Sequence, residues 1–360
     1  MKAQFLIPLT IASMLFSSSM VQALPMNTDL DKRADLPPLI PSRIQPASVI
    51  PPFDLSLEKS AGSANGAIPS GTEQEGGFAV ELPQNISKAI PNLAGVSQAS
   101  QEQVNSAYFY AELSANAYCK QVTPLGVWLC PHCKTALSDA KIEKTFFSLL
   151  ADTHGYIVTS ASKKTIFLAF RGTNSFRSFF VDLNFILDDY PAVKGTKVHP
   201  GFYKSYVEVQ KTVIETMGSL IQKYPDYKVS VVGHSLGGAQ AELATLDLYQ
   251  RFQQLTPDNL RLDTVGQPRV GNPNYAAYFL STKIGKIRTV HKSDLVPHLP
   301  PMANSYLHTG TEYWIKDDDS RLTQICQATY ESAFCSNTAV PFLTIMDHLS
   351  NYNINEGLCL

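Results

Sequence analysis

No run of five or six like charges occurs in this 360-residue sequence, and 29 basic residues against 31 acidic ones leave a formal charge of -2. A nucleic-acid partner is not expected, because binding a polyanion requires a concentrated basic field. No internal repeat is present, which argues against solenoids and propellers. Long hydrophobic runs are also missing: the apolar stretch from Phe5 to Phe16 is interrupted by Pro8, Thr10 and Ser13 and is too short to cross hydrocarbon. Cysteine is absent before Cys119. What remains is a chain with 44% apolar residues, enough for one large core or two small ones.

The amino terminus has the form of a secretory signal peptide over residues 1–23: Lys2, the apolar stretch, and the small-x-small pattern Val21-Gln22-Ala23 ahead of Leu24. Secretion is expected, with no transmembrane segment. Residues 24–91 hold ten prolines and phrases such as "LPPLIPSRIQPASVIPPFD". That composition buries too little apolar surface to offset its ordering entropy. It reads as a pro-region removed on maturation, with Lys32-Arg33 as a processing site, or alternatively as a disordered linker that stays attached. The sequon Asn85-Ile86-Ser87 falls in it.

Residues 92–360 alternate strand and helix signals and form the expected catalytic domain. Helices are expected over Gln101–Tyr118, Phe202–Tyr224, Leu236–Arg251 and Asn274–Ser281. The phrase "GYIVTSASKKTIFLAF" reads as a hairpin, and further strands are expected at Tyr227–Val232, Leu260–Val265, Lys286–His291 and Glu312–Ile315. Strands separated by helical crossovers imply an α/β fold with a mixed, mostly parallel central sheet covered by helices. Among the six cysteines, local spacing favours Cys130 with Cys133 and Cys326 with Cys335, leaving Cys119 with Cys359.

One stretch carries chemistry. "KVSVVGHSLGGAQAELA" places Gly-His-Ser-Leu-Gly between a buried-type strand and a helix, the context in which a serine is raised on a strained turn as a nucleophile. The competing reading makes Ser235 a helix N-cap. A serine nucleophile needs a base, and in such hydrolases an acid and then a histidine follow it along the chain. His291 and His308 belong to or adjoin strands, and His298 lies four residues past the best acid, so His348 in "MDHLSNYN" is the best-placed base. Asp294, in the proline-bounded loop of "KIRTVHKSDLVPHLPP", is the best acid, with Asp347 as local rival. Oxyanion donors are expected at Leu236 and in the loop of "TIFLAFRGTN", where Thr173 adds a hydroxyl. Directly after that loop, Phe176, Phe179, Phe180 and Leu183 fall on one helical face. The stripe is either ordinary core or a short lid over the site, opened against an apolar surface.

Together these motifs resemble the secreted fungal triacylglycerol lipases of the Rhizomucor and Rhizopus type: "GHSLGGA", "LDLYQR", "GQPRVGN", "SDLVPHLPP", "FRGTNSFRS", "GTKVHPGF", "VPF" with "DHLS", and "INEGLCL" occur in order across residues 101–360. The resemblance implies an α/β-hydrolase fold, a triad of Ser235, Asp294 and His348, an oxyanion hole at Thr173 and Leu236, and a lid around Phe176–Leu183. It also implies the three disulfides above, a pro-segment that assists folding, no metal and no organic cofactor. The implied substrate is an acylglycerol at an oil-water interface, acted on by a monomer. Phospholipase A1 and feruloyl esterase remain alternatives on the same fold. Cys130-Pro131-His132-Cys133 raises a thiol oxidoreductase as a rival class, though it lacks the thioredoxin-like context. One departure stands out: Glu242 occupies a position in the helix behind the serine that is generally apolar in that family, and if buried it requires a partner.

Overall fold

The structure is a computed structural model that describes residues 36–47, 77–78, 95–148, 150–173, 184–327, 330–332, 334–357 and 359. The expected signal peptide, the sequon, Lys32-Arg33, and the lid stripe of Phe176, Phe179, Phe180 and Leu183 lie outside these residues.

The nine strands of the main sheet are β1 (Val96–Gln98), β2 (Lys141–Ser148), β3 (Thr153–Ser160), β4 (Thr165–Phe170), β5 (Lys228–His234), β6 (Leu260–Val265), β7 (Gly285–His291), β8 (Thr311–Ile315) and β9 (Thr323–Cys326). Across the sheet they run β1-β9-β8-β7-β6-β5-β4-β3-β2. The five central strands β4 to β8 pair in parallel, and the pairs outside them are antiparallel. Sequence texture follows position. β4 is buried throughout and β5 is buried after Lys228, as strands covered on both faces require. The edge strand β2 carries Lys141, Glu143 and Lys144 and is only partly covered. Its charges guard an exposed edge, and they also hid it from a search for apolar runs.

Among the described residues, four helices of nine residues or more flank the sheet: α1 (Gln101–Asn116), α2 (Pro200–Lys223), α3 (Leu236–Arg251) and α4 (Pro273–Ser281). Their starts are chemically marked. Ser100 and Gln103 form a reciprocal capping box on α1. Asn272 caps α4 ahead of Pro273 at its first position. No helix among the described residues is long and apolar enough to cross a membrane. Disulfides join Cys119–Cys359, Cys130–Cys133 and Cys326–Cys335.

The proline-rich region departs from the expectation that it carries no order of its own. Residues 36–47 lie along the carboxyl end of α3. Ile40 N donates to Gln250 O at 2.7 Å, and Arg43 Nη1 donates to Tyr249 O at 2.6 Å and Phe252 O at 3.0 Å. The Arg43 guanidinium also covers the Tyr249 ring at 4.3 Å. The physical reason is local: a helix end presents carbonyls without intrahelical partners and a negative dipole end, and one arginine answers both. Prolines reduce what such a strip loses on ordering, so it docks by hydrogen bonds without a core of its own. Further along, Gly77–Phe78 pair antiparallel with Leu343–Thr344.

Candidate active site

At the end of β5 the chain turns into α3 through Ser235, whose φ of 58° and ψ of -130° lie in a region that costs a non-glycine residue about 1–3 kcal/mol. Two glycines make the turn possible. A Cβ on Gly233 would fall 2.2 Å from Gly237 O, and one on Gly237 would fall 2.4 Å from Phe170 O. Ser235 stands at the N-cap position of α3 but makes no side-chain capping bond, so the capping role does not account for the serine. Its Oγ is buried without a hydrogen-bond partner, a costly placement for a hydroxyl with a purely structural task.

Asp294 follows β7 in a loop tied to the 343–344 strand, with Thr344 N donating to Ser293 O at 2.8 Å and Leu295 N to Thr344 O at 3.1 Å. Its two oxygens are both engaged: Oδ1 accepts from Val296 N at 2.9 Å, and Oδ2 pairs with His348 Nδ1 at 2.9 Å. Asp294 and His348 are fully buried. No hydrogen bond joins Ser235 Oγ to His348; such bonds are often long before substrate binds. The rival groups are otherwise occupied. His298 Nδ1 bonds Asp294 O at 2.8 Å, His308 Nε2 bonds Pro297 O at 2.9 Å, and His291 Nδ1 bonds Asp347 O at 3.0 Å. The carboxylate of Asp347 accepts from Ser293 N at 3.1 Å.

The loop after β4 crosses over the serine. A Cβ on Gly172 would lie 2.9 Å from Ser235 Cβ and 2.8 Å from His234 O, and buried Thr173 comes next in the chain. Leu236, the other expected donor, opens α3. The helix amino terminus adds a field that favours negative charge there.

Three buried groups around this centre were not singled out from the sequence. His234 precedes the serine, and its ring stacks on that of His348 with centroids 4.5 Å apart. Burial, with the neighbouring His348, holds the His234 imidazole well below its ordinary range and therefore neutral. Tyr118 OH lies 2.7 Å from His234 Nδ1. Glu356 is fully buried, and burial together with the Asp294 charge pushes its carboxyl well above the usual range. The motifs "GHSLGG" and "INEGLCL" contain two of the three, but sequence shows no sign that they meet.

Glu242, the departure noted in the sequence, is buried on α3 and bonded to Lys286 Nζ at 2.7 Å and to Gln267. The partner it requires is supplied 44 residues downstream, from β7.

Beyond residues 174–183 the chain is held by His199, whose Nε2 bonds Asn184 O at 2.6 Å while its Nδ1 accepts from Gly201 N and Phe202 N at the start of α2. Burial lowers its pKa from 6.5 to about 4. The unfolded chain therefore binds a proton that the folded chain refuses. Stability from this group is complete above pH 6.5, declines as pH falls towards 4, and is constant below that, a span worth roughly 3 kcal/mol. Urea unfolding at pH 7 and pH 4.5 should show a smaller loss in His199→Asn, which keeps the cap but not the titration. Equal losses in the two proteins would contradict this assignment.

Comparison with known proteins agrees with this architecture. The family Lipase (class 3) matches residues 167–304. A lipase of Rhizomucor miehei is 44% identical over 96% of this chain and 95% of its own length. The solved Rhizomucor miehei lipase propeptide complex superposes with a TM-score of 0.77 at 45% identity, covering 90% of this chain and all of that one. A solved triacylglycerol lipase whose catalytic centre is a serine protease triad superposes with a TM-score of 0.72 at 48% identity, over 74% of this chain and all of that one. With a strained serine between two obligatory glycines, a buried carboxylate on a histidine, and likeness along nearly its whole length, the chain belongs to the class 3 lipase family.

Proposed function

We propose that the protein is a secreted triacylglycerol lipase in which Ser235, His348 and Asp294 act as a triad. The observation that carries the reading is the buried, strained, unpartnered Ser235 hydroxyl, in a structure that also holds the His348 imidazole on a buried carboxylate. His348 takes the serine proton as the oxygen attacks the ester carbonyl. Asp294 fixes the imidazole's tautomer and stabilises its cation. Donors at Leu236 and Thr173 receive the tetrahedral oxyanion. The alcohol leaves with the proton from His348, and water then releases the acid from the acyl-enzyme by the same route in reverse.

The glyceride assignment rests on apolar surface near the site. Ile186, Phe342 and Met346 are strongly exposed, the first shortly after residues 174–183 in the chain and the other two on either side of the strand before His348. Exposed large apolar groups clustered along such segments suit a lipid interface. Hydrolysis of a tributyrin emulsion and of phosphatidylcholine vesicles, by the wild type and by Ser235→Ala, tests the reading. Tributyrin should be the preferred substrate and the variant inert. Preferred phosphatidylcholine cleavage would reassign the enzyme as a phospholipase.

In this reading Phe176, Phe179, Phe180 and Leu183 form a lid that exchanges burial against protein for burial in lipid. Activity on a short-chain ester should rise steeply once it exceeds its solubility limit. Phe179→Ser with Phe180→Ser should lower that rise and weaken adsorption to the emulsion, while sparing hydrolysis of dissolved ester. Unchanged adsorption and an unchanged rise would return the stripe to ordinary core.

A further inference from the structure

Behind the triad lies a second set of buried polar side chains that the mechanism above does not use. Gly172 N donates to Tyr118 Oη at 3.0 Å, Tyr118 Oη lies 2.7 Å from His234 Nδ1, and His234 Nε2 lies 3.0 Å from the carbonyl oxygen of His348. Donor and acceptor chemistry fixes the direction of every bond. A carbonyl only accepts, so His234 Nε2 carries the ring proton. In a neutral imidazole Nδ1 then accepts, so the Tyr118 hydroxyl donates to it and its oxygen is left to receive Gly172 N–H. The neutral ring is the form that burial enforces. The chain therefore runs from the loop that crosses Ser235, through Tyr118 and His234, to the backbone of the catalytic histidine.

We propose that Tyr118 and His234 are positioning residues for ester hydrolysis, a two-link strut that sets the distance between the oxyanion loop at Gly172–Thr173 and the imidazole of His348. The oxyanion donors and the base must address one tetrahedral centre, and Thr173 and His348 are carried on separate loops. Without a connection the two loops would be placed independently. With it, a displacement of one is transmitted to the other, and the 4.5 Å stack of the His234 and His348 rings fixes the plane of the base. The surroundings keep the strut uncharged. Glu356 Oε2 is 3.5 Å from His234 Nδ1, and burial with the nearby Asp294 charge pushes the Glu356 carboxyl towards its neutral form.

The inference rests on the Ser235, His348 and Asp294 reading. Its test is a double-substitution cycle of Tyr118→Phe and His234→Phe, assayed on a dissolved short-chain p-nitrophenyl ester. Competent sites are counted by stoichiometric labelling with a phosphonate ester, and rates are expressed per site. Each single substitution should lower kcat about 10- to 100-fold with KM nearly unchanged, since geometry between reacting groups is altered and substrate binding is not. Because both links belong to one strut, the double variant should be no slower than the slower single variant. A merely structural role would lower the melting temperature and the count of competent sites but not kcat per site. That result, or losses that multiply in the double variant, would overturn the proposal. If His234→Phe does not fold, His234→Leu, which likewise has neither donor nor acceptor, takes its place in the cycle. Ser235→Ala run alongside separates the two levels: activity surviving in it removes the triad reading itself, whereas an inert Ser235→Ala with normal kcat in the strut variants removes only the strut.

Discussion

Asp294→Asn should lower kcat on a dissolved ester by about 10⁴-fold while leaving the folded structure in place. Both oxygens of Asp294 are committed, one to Val296 N and one to His348 Nδ1. An amide has a single acceptor oxygen. If that oxygen serves Val296, the amide NH2 faces His348 Nδ1 and selects the tautomer with its proton on the wrong nitrogen. If it serves His348, the NH2 meets Val296 N–H and the loop loses a bond. Either arrangement also removes the negative charge that stabilises the imidazolium in the transition state. Steady-state kinetics with circular dichroism on the same samples provides the measurement. A folded Asp294→Asn with kcat within tenfold of the wild type would exclude Asp294 as the triad acid and return the search to Asp347.

The second large effect concerns stability. Lys286→Met should cost about 3–5 kcal/mol, because it leaves Glu242 buried without its cation. Lys286 and Glu242 are almost wholly withdrawn from solvent. Burial pulls the Lys286 ammonium down in pKa and Glu242 pulls it back up, with burial the larger influence, so the pair exists by mutual compensation. Glu242→Leu combined with Lys286→Met should recover most or all of the loss, since a well-packed apolar pair avoids both desolvation costs. Guanidinium unfolding of the two single variants and the double variant decides it. A double variant as unstable as the sum of the singles would mean that each side chain acts separately, for example through Gln267 on one side and the Phe279 ring beneath Lys286 on the other.

The sequence revealed most where physical constraint is local. β4, β5 and β6 are buried over nearly their whole length and carry the apolar runs that burial requires, and α3 begins at Leu236 and ends at Arg251 as its pattern suggests. The turn at Ser235 announces itself because only glycine fits at Gly233 and Gly237. The edges were less legible. β1, β9 and the charged β2 are short or only partly covered, and their residues do not differ from loop residues in composition. The docking of residues 36–47 depends on the unsatisfied carbonyls of a helix end two hundred residues away, which composition does not encode. In the candidate site, order and context are what single out Ser235, Asp294 and His348. They do not single out Tyr118, His234 and Glu356, because what distinguishes these is burial beside one another. The partner of Glu242 was invisible for the same reason, whereas the need for one could be read directly.

The covalent tie between Cys119 and Cys359 spans 240 residues. Every strand from β2 to β9 lies inside the loop it closes. Closing so long a loop in an unordered chain is entropically costly, so this bond is expected to form late, after the parallel core has brought the segment beyond His348 back to α1. Tyr118 adjoins one half-cystine, and Glu356 lies three residues before the other. A newly made molecule is thus expected to acquire the side chains behind His348 and its longest crosslink together. Quenched refolding samples, trapped with an alkylating reagent, should gain ester hydrolysis in step with the loss of the Cys119 and Cys359 thiols. The short Cys130–Cys133 loop can close well before any activity appears.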